Sequence, residues 1–236
     1  EIGKERDSLH QKYVDKVDSN KKNDKQKANW LEWAQVLEIH RDLENKVRER
    51  RIKSRAKTVG HTSASDRILM QDLVILSLYT LIPPTRNDYS MMEVISPMKY
   101  RKLVKNKEEA KDTNYFIDNR QGISKFVYNE YKTSKTHGRV ITNIPPRLNR
   151  IITAWLKINT TGYLLINNRG EPMTPNGITK NLNKIFKEYT GKSISSSMLR
   201  HIFKTHSIGD AVKKNKEESK AMMHSEDQAN DYVLLD

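Results

Sequence analysis

The chain has 236 residues, and its content of 36% hydrophobic and 31% charged residues supports a folded core and excludes a wholly disordered protein. With 43 lysines and arginines against 29 acidic residues, the net charge of +14 favours a polyanionic partner such as nucleic acid, with an anionic membrane surface as the competing target. The absence of cysteine excludes disulfides, cysteine-based zinc sites and thiol nucleophiles, and the lack of a signal peptide or a membrane-spanning apolar run predicts an intracellular protein that is neither secreted nor inserted in a membrane.

The N-terminal stretch is polar. Residues 1–29 are predicted to be a linker, because the segment "SNKKNDKQKAN" offers no large apolar side chain to a core. The chain begins with Glu1 rather than methionine, so we expect a processed form or an excised fragment that lacks N-terminal structure. From Trp30 onward, apolar residues recur at intervals of three and four, which predicts an amphipathic helix opening the main domain, residues 30–236. The stripe of this helix is formed by Val36, Ile39, Leu43 and Val47.

A strongly basic segment follows this helix. The sequence "KVRERRIKSRAK" at 46–57 carries seven positive charges against one negative. This density of charge is typical of a face that seeks phosphate groups, and it is equally compatible with a solvated helix end.

The next helix is predicted to lie at the centre of the fold. Ser65 or Asp66 is a suitable N-cap, and the sequence "RILMQDLVILSLYTLI" becomes apolar nearly all round. Pro83 and Pro84 end the helix, because proline donates no backbone hydrogen bond and disfavours helix at the preceding residue. Arg86 follows at once.

The second half of the chain predicts a small sheet among helices. After a charged helical stretch at 97–112, the segments "NYFID", "ISKFVYNEY" and "RVITNI" are typical of three short strands separated by turn residues, which indicates a three-stranded antiparallel sheet. Another amphipathic helix covers residues 148–155, and Thr174, Pro175 and Gly191 mark the cap, first position and stop of the next. The predicted fold class is therefore α+β and mainly α-helical.

One arginine lies on the apolar face of the last helix. In "SSSMLRHIFKTH" a serine caps the helix, and Leu199, Ile202 and Phe203 form a buried stripe, which places Arg200 near the N-terminal end. A partly buried arginine requires an anion, which either a structural salt bridge or a bound ligand supplies.

Five groups follow one another along the chain, namely Arg86 in "LYTLIPPTR", Lys132 in the hairpin "NEYKTSKTHGRVITNIP", Arg200 in "LRH", His224 in "MHS" and Tyr232 eight residues later. Taken together, they resemble the catalytic set of the tyrosine recombinases, the family of bacteriophage integrases and chromosome-dimer resolvases. The resemblance extends from about residue 30 to the end of the chain and implies the catalytic-domain fold of that family. Lys135 in the same hairpin is the alternate lysine.

The resemblance implies a role for each residue. Arg86 and Arg200 are expected to hold the non-bridging oxygens of the scissile phosphate, where charge develops in the transition state. His224 is expected to donate a further hydrogen bond, and Lys132 to protonate the leaving 5′ oxygen. Tyr232 is expected to attack the phosphorus and form a 3′-phosphotyrosyl link. Neither a metal nor ATP is required, so no cofactor is expected.

Two positions depart from the family pattern. Ser197 stands where the family has a histidine or lysine, and His201 or His206 would have to compensate for it. Tyr89 stands where the family often has a glutamate, which leaves the support of Arg86 undefined. His201 and His206 are five residues apart rather than the four that a zinc-binding helix requires, so no metal site is expected.

The resemblance also implies partners and a cellular role. Residues 1–29 would be the tail end of a lost core-binding domain, and 30–236 the catalytic domain. The expected partner is double-stranded DNA, bound by a homotetramer, with a monomer as the alternative for an isolated fragment. The expected function is site-specific recombination, such as integration of a viral or mobile element, wherever the target DNA lies in host cytoplasm or nucleus. The alternatives are a type IB topoisomerase or hairpin resolvase activity, or a basic DNA-binding protein without catalysis.

Overall fold

The computed structural model describes residues 21–55, 62–106 and 111–221, and the boundary between two compact units falls between Trp30 and Leu31. Within the first unit, helix α1 (Asp24–Ala28) lies in the stretch predicted to be a linker. A reciprocal cap forms it: Asn23 Oδ1 accepts from the Gln26 amide at 2.8 Å, and Gln26 Oε1 accepts from the Asn23 amide at 2.9 Å. None of its residues is buried, so this helical turn is stabilised by local capping and not by packing against a core.

The second unit is α+β and mainly helical, as the sequence predicts. Among the residues that the structure describes, no helix combines the length and apolarity needed to cross a membrane. The helices are α2 (Trp33–Glu49), α3 (Ile52–Arg55), α4 (Ala64–Thr80), α5 (Pro97–Lys105), α6 (Ser134–His137), α7 (Pro146–Trp155), α8 (Pro175–Thr190) and α9 (Ser196–Ala221).

Helix α4 is the centre of the unit, which confirms that prediction. Every residue from Leu73 to Tyr79 is buried, and α2, α7 and α8 pack around it. Its N-cap is Ser63, whose Oγ accepts from the Asp66 amide at 3.1 Å. The cap predicted at Ser65 or Asp66 is therefore wrong by a short shift, because several polar residues able to cap precede the apolar run and local sequence does not rank them.

The sheet has four strands in mixed orientation, so the prediction of three antiparallel strands is wrong. Strands β2 (Tyr115–Ile117), β3 (Lys125–Tyr128) and β4 (Val140–Asn143) pair antiparallel as expected. The additional strand β1 (Glu93–Ile95) pairs in parallel with β2, with Glu93 opposite Tyr115 and Ile95 opposite Ile117. Three residues are too few to show an alternating pattern, and parallel pairing depends on the crossover through α5 rather than on a turn that the sequence displays.

Two local signals fix helices α8 and α9. Thr174 Oγ1 accepts from the Gly177 amide at 3.2 Å, and Gly191 ends α8 with φ +71°, as predicted. Ser195 Oγ accepts from the Met198 amide at 3.3 Å at the start of α9. The first turns of α9 bury Leu199 and Ile202, so this end of the helix is held against the core.

An aromatic contact further secures α9. The rings of Trp33 on α2 and Phe203 on α9 meet edge to face with centroids 5.1 Å apart. Trp33 is buried, and Phe203 lies about one turn beyond Arg200. The position of Arg200 is thus set by packing on both sides of it.

Candidate functional site

Arg86 lies on a braced segment that follows α4. The Tyr79 hydroxyl is shared between Asn87 Oδ1, at 3.0 Å, and the Arg86 carbonyl, at 3.3 Å. The Asn87 amide group donates to the Pro175 carbonyl at 2.7 Å and to Thr179 Oγ1 at 2.9 Å. The backbone that carries Arg86 is therefore tied to the end of α4 and to the first turns of α8.

Asp88 brings the two predicted arginines into one electrostatic environment. Burial raises the pKa of Asp88, the nearby guanidiniums of Arg86 and Arg200 lower it, and the Glu130 carboxylate raises it. Both arginines therefore lie close enough to act on the same half-buried carboxyl. Neither guanidinium forms an ion pair with Asp88 in the part of the chain that the structure describes, so the carboxyl acts on them through its charge and not by direct contact. Asp88 is not among the residues predicted from the sequence, although an acidic residue two positions after Arg86 is a usable signal.

Arg200 keeps one donor unused. Its side chain is half-buried, and its Nε is buried without a hydrogen-bond partner. Within the described residues no carboxylate pairs with it at salt-bridge distance, so the predicted structural salt bridge is not found there. Leaving such a donor without a hydrogen-bond partner costs about 1–3 kcal/mol.

Tyr89 is a core residue rather than a substitute for the family's glutamate. It is fully buried, and its ring meets those of Tyr79 and Tyr128 with centroids 5.8 Å and 6.2 Å away. Its hydroxyl donates to the Leu78 carbonyl at 3.4 Å. Burial raises the pKa of Tyr89 and of Tyr128, so both hydroxyls stay protonated. The two rings belong to the core that lies next to the Arg86 segment.

Asn114 joins the Arg86 segment to the hairpin. Its Nδ2 donates to the Asp88 carbonyl at 3.0 Å and to the Glu130 carbonyl at 2.8 Å. Its Oδ1 accepts from the amides of Asn129 and Glu130, both at 2.9 Å. Because a primary amide has two donors and an oxygen with two acceptor positions, this buried side chain is saturated. No local pattern indicates this link, since its partners are remote along the chain.

Lys132 lies in the connection between β3 and β4, as predicted, and its side chain is exposed. Lys135 lies in α6 in the same connection and is exposed as well. The Tyr131 hydroxyl donates to the Gly138 carbonyl at 2.7 Å, which closes the loop that presents both lysines. Glu130, at the base of the hairpin, acts on the pKa of Asp88 as the two arginines do, so this part of the hairpin is near them. The ammonium groups of Lys132 and Lys135 are both in solvent, and the geometry does not select between these two lysines.

The two histidines of α9 differ in surroundings. His206 stacks on the Trp33 ring with centroids 6.4 Å apart and an interplanar angle of 26°. His201 is exposed beside Arg200, and Ser197 is exposed in the first turn. His201 is next to Arg200 in the sequence, whereas the ring of His206 is engaged with Trp33. Compensation for Ser197 by His201 stays a prediction.

The basic segment 46–57 is partly engaged with the domain itself. Lys46 Nζ lies 4.4 Å from the centroid of the Tyr189 ring and 3.9 Å from Glu188. Arg50 lies 3.5 Å from the buried Asp66. Two of its cations thus serve packing, which weakens the hypothesis of a continuous phosphate-seeking face.

His224 and Tyr232 lie outside the described residues, so their predicted roles stay predictions. No protein-family model matches the sequence, and no curated protein or solved structure is significantly similar to it. Of the predicted site residues that the structure describes, Arg86 and Arg200 both lie near enough to Asp88 to lower its pKa, and Asn114 joins the backbone of Asp88 to the hairpin that carries Lys132.

Proposed function

We propose that this protein cuts and rejoins DNA strands through a covalent 3′-phosphotyrosyl intermediate, as a site-specific recombinase of the tyrosine recombinase type. The observation that supports the proposal best is the juxtaposition of Arg86 and Arg200 at one carboxyl, with a buried Arg200 Nε that has no partner. Two guanidiniums with an unused donor suit the non-bridging oxygens of a phosphodiester.

The proposed reaction begins with a phosphate held between the two arginines. The Tyr232 oxygen attacks the phosphorus as it loses its proton to a water molecule, and the new P–O bond forms as the bond from phosphorus to the 5′ oxygen breaks. The leaving 5′ oxygen takes a proton from Lys132 on the hairpin, or from Lys135. Arg86, Arg200 and His224 stabilise the charge that develops on the other phosphate oxygens. A 5′ hydroxyl from another strand reverses these steps and rejoins the DNA.

Asp88 and Asn114 have positioning roles in this scheme. The half-buried Asp88 carboxyl lies near enough to both guanidiniums to offset part of their charge when no phosphate is present. Asn114 fixes the spacing between the arginine segment and the hairpin. In this way the general acid is presented at the edge of the phosphate site.

The central experiment incubates the protein with nicked duplexes from a pool of fragments of its source genome, followed by a denaturing gel. A covalent protein–DNA band is expected without metal, and it is expected to vanish in Tyr232→Phe. Arg86→Ala and Arg200→Ala should abolish the band while weakening duplex binding only slightly, since two phosphate contacts are a small part of the electrostatic total. Arg169→Ala removes an equal charge from an exposed site and should leave the band unchanged.

A second experiment identifies the general acid. A 5′-thio leaving group needs little protonation, so it should restore cleavage by Lys132→Ala. Rescue of Lys135→Ala in place of Lys132→Ala would transfer that role to Lys135.

The outcome of the gel also separates the alternatives. Duplex binding without any covalent band would favour a basic DNA-binding protein that lacks catalysis. A band with relaxation or hairpin formation, but no exchange between two duplexes, would favour a type IB topoisomerase or a hairpin resolvase. Exchange between two duplexes, with four protomers in the complex, is the result expected of an integrase.

A further inference from the structure

Helix α5 carries a positive face that the candidate site does not use. Its nine residues include four cations and no acidic residue. All four side chains are exposed, and none forms an ion pair with a residue in the described ranges. We define the α5 basic face as Lys99, Arg101, Lys102 and Lys105.

The opposite side of α5 is fixed on the sheet. Tyr100 and Leu103 pack against a buried cluster formed by Ile95, Tyr115, Ile117 and Val127. The Tyr100 and Tyr115 rings have centroids 6.1 Å apart, and Arg139 Nη1 donates to the Tyr100 hydroxyl at 3.5 Å. Because Tyr100 and Leu103 are committed to packing, the helical period places Arg101, Lys102 and Lys105 on the outer side. Lys99, four residues before Leu103, lies at the border between the two sides.

The topology places the end of α5 near the arginine pair. β1 and β2 are parallel, so the helix that connects them runs back from the end of β1 toward the start of β2. The start of β2 follows Asn114, which is bonded to the Asp88 carbonyl. The last turn of α5, with Lys102 and Lys105, therefore lies at the end of the sheet that faces the candidate site.

We propose that the α5 basic face binds the phosphate backbone of the DNA duplex beside the strand held by Arg86 and Arg200. The inference rests on the proposed function for the identity of the polyanion, and on charge complementarity for the surface. Lys99 to Lys105 spans about 9 Å at 1.5 Å per residue. That length corresponds to two to three phosphates of one strand, which rises about 3.4 Å per nucleotide along the duplex axis. Within Pro97–Lys105 there is no carboxylate to compete with those phosphates.

The test measures duplex affinity over a range of salt concentrations by fluorescence anisotropy, with the whole chain and a labelled duplex of about 30 base pairs. In the test variant the three lysines of the α5 basic face are changed to glutamine. In the control variant three exposed lysines outside α5 are changed likewise, namely Lys157, Lys180 and Lys187. Both variants lose the same net charge, and equal melting temperatures confirm that both are folded.

If the proposal holds, the plot of log affinity against log salt is less steep for the test variant, with a slope smaller in magnitude by about 2 to 3. Each phosphate contact contributes about 0.9 to the magnitude of that slope. Its affinity near 0.1 M salt falls by more than about tenfold, and the control changes much less. Equal changes in both variants would overturn the proposal, since net charge alone would then explain them. Absence of duplex binding by the unaltered protein would overturn it as well.

The covalent assay distinguishes this inference from the proposed function. A normal salt dependence in the test variant, together with a Tyr232-dependent band, would refute the α5 basic face and leave strand cleavage supported. A reduced slope in the test variant, with no covalent band from any protein, would support the α5 basic face and refute strand cleavage.

Discussion

Replacing Asn114 by alanine is expected to destabilise the protein by about 2–4 kcal/mol. The change removes four hydrogen bonds of 2.8–3.0 Å at once. A part-buried backbone group that loses its partner costs about 1–3 kcal/mol, and some of the four will be rescued by water entering the space that the amide leaves. The estimate therefore lies below the sum of four full penalties.

The assay is urea denaturation followed by circular dichroism, with the loss read from the midpoint at unchanged m-value. Asn176→Ala is the matched control, because this asparagine is exposed near the start of α8 and should change stability by less than about 0.5 kcal/mol. A loss for Asn114→Ala below about 1 kcal/mol would show that the amide does not join the Asp88 segment to the hairpin. Under the proposed function, strand cleavage should also slow at temperatures where the variant is fully folded.

Three further predictions concern stability. Burial raises the pKa of Asp72 from 3.8 to about 6 against the opposing effect of Lys184. The native state therefore binds this proton more tightly than the unfolded state, so its contribution to stability falls as pH rises from about 4 to about 6. Asp72→Asn should raise the free energy of unfolding at pH 7 by about 1–3 kcal/mol and flatten that pH dependence; an unchanged profile in urea titrations at pH 4 and 7 would contradict this. Gly191→Ala should cost about 1 kcal/mol in thermal unfolding because φ is +71°, whereas Gly209→Ala inside α9 should be neutral or stabilising, and equal losses would refute the argument. Trp33→Ala should cost about 3–5 kcal/mol in urea denaturation by opening the contact with α9, and a loss under 1 kcal/mol would mean that the helix is held elsewhere.

The elements that the sequence predicted well are those specified by neighbouring residues. Thr174, Pro175 and Gly191 set both ends of α8 through caps that involve only residues a few positions apart. The hairpin of β3 and β4 likewise depends on a turn between adjacent strands. β1 was missed because its pairing with β2 is parallel and passes through a helix, which leaves no local pattern.

The candidate site divides along the same line. Arg86, Arg200 and the hairpin lysines were predicted from a resemblance in their order along the chain. Asp88 and Asn114 were not, because the significance of a polar residue in a loop depends on which distant groups the fold brings to it. Periodicity and spacing contain no information about such contacts.

The bracing of the Arg86 segment affects how a ligand would bind there. Tyr79 and Asn87 fix it to two helices, and Asn114 fixes it to the sheet, before any ligand arrives. A flexible loop loses conformational entropy when it closes on a phosphate, whereas this segment has already lost it during folding. Folding has thus already ordered the backbone that carries Arg86, so the binding of an anion there would have to order only the arginine side chain.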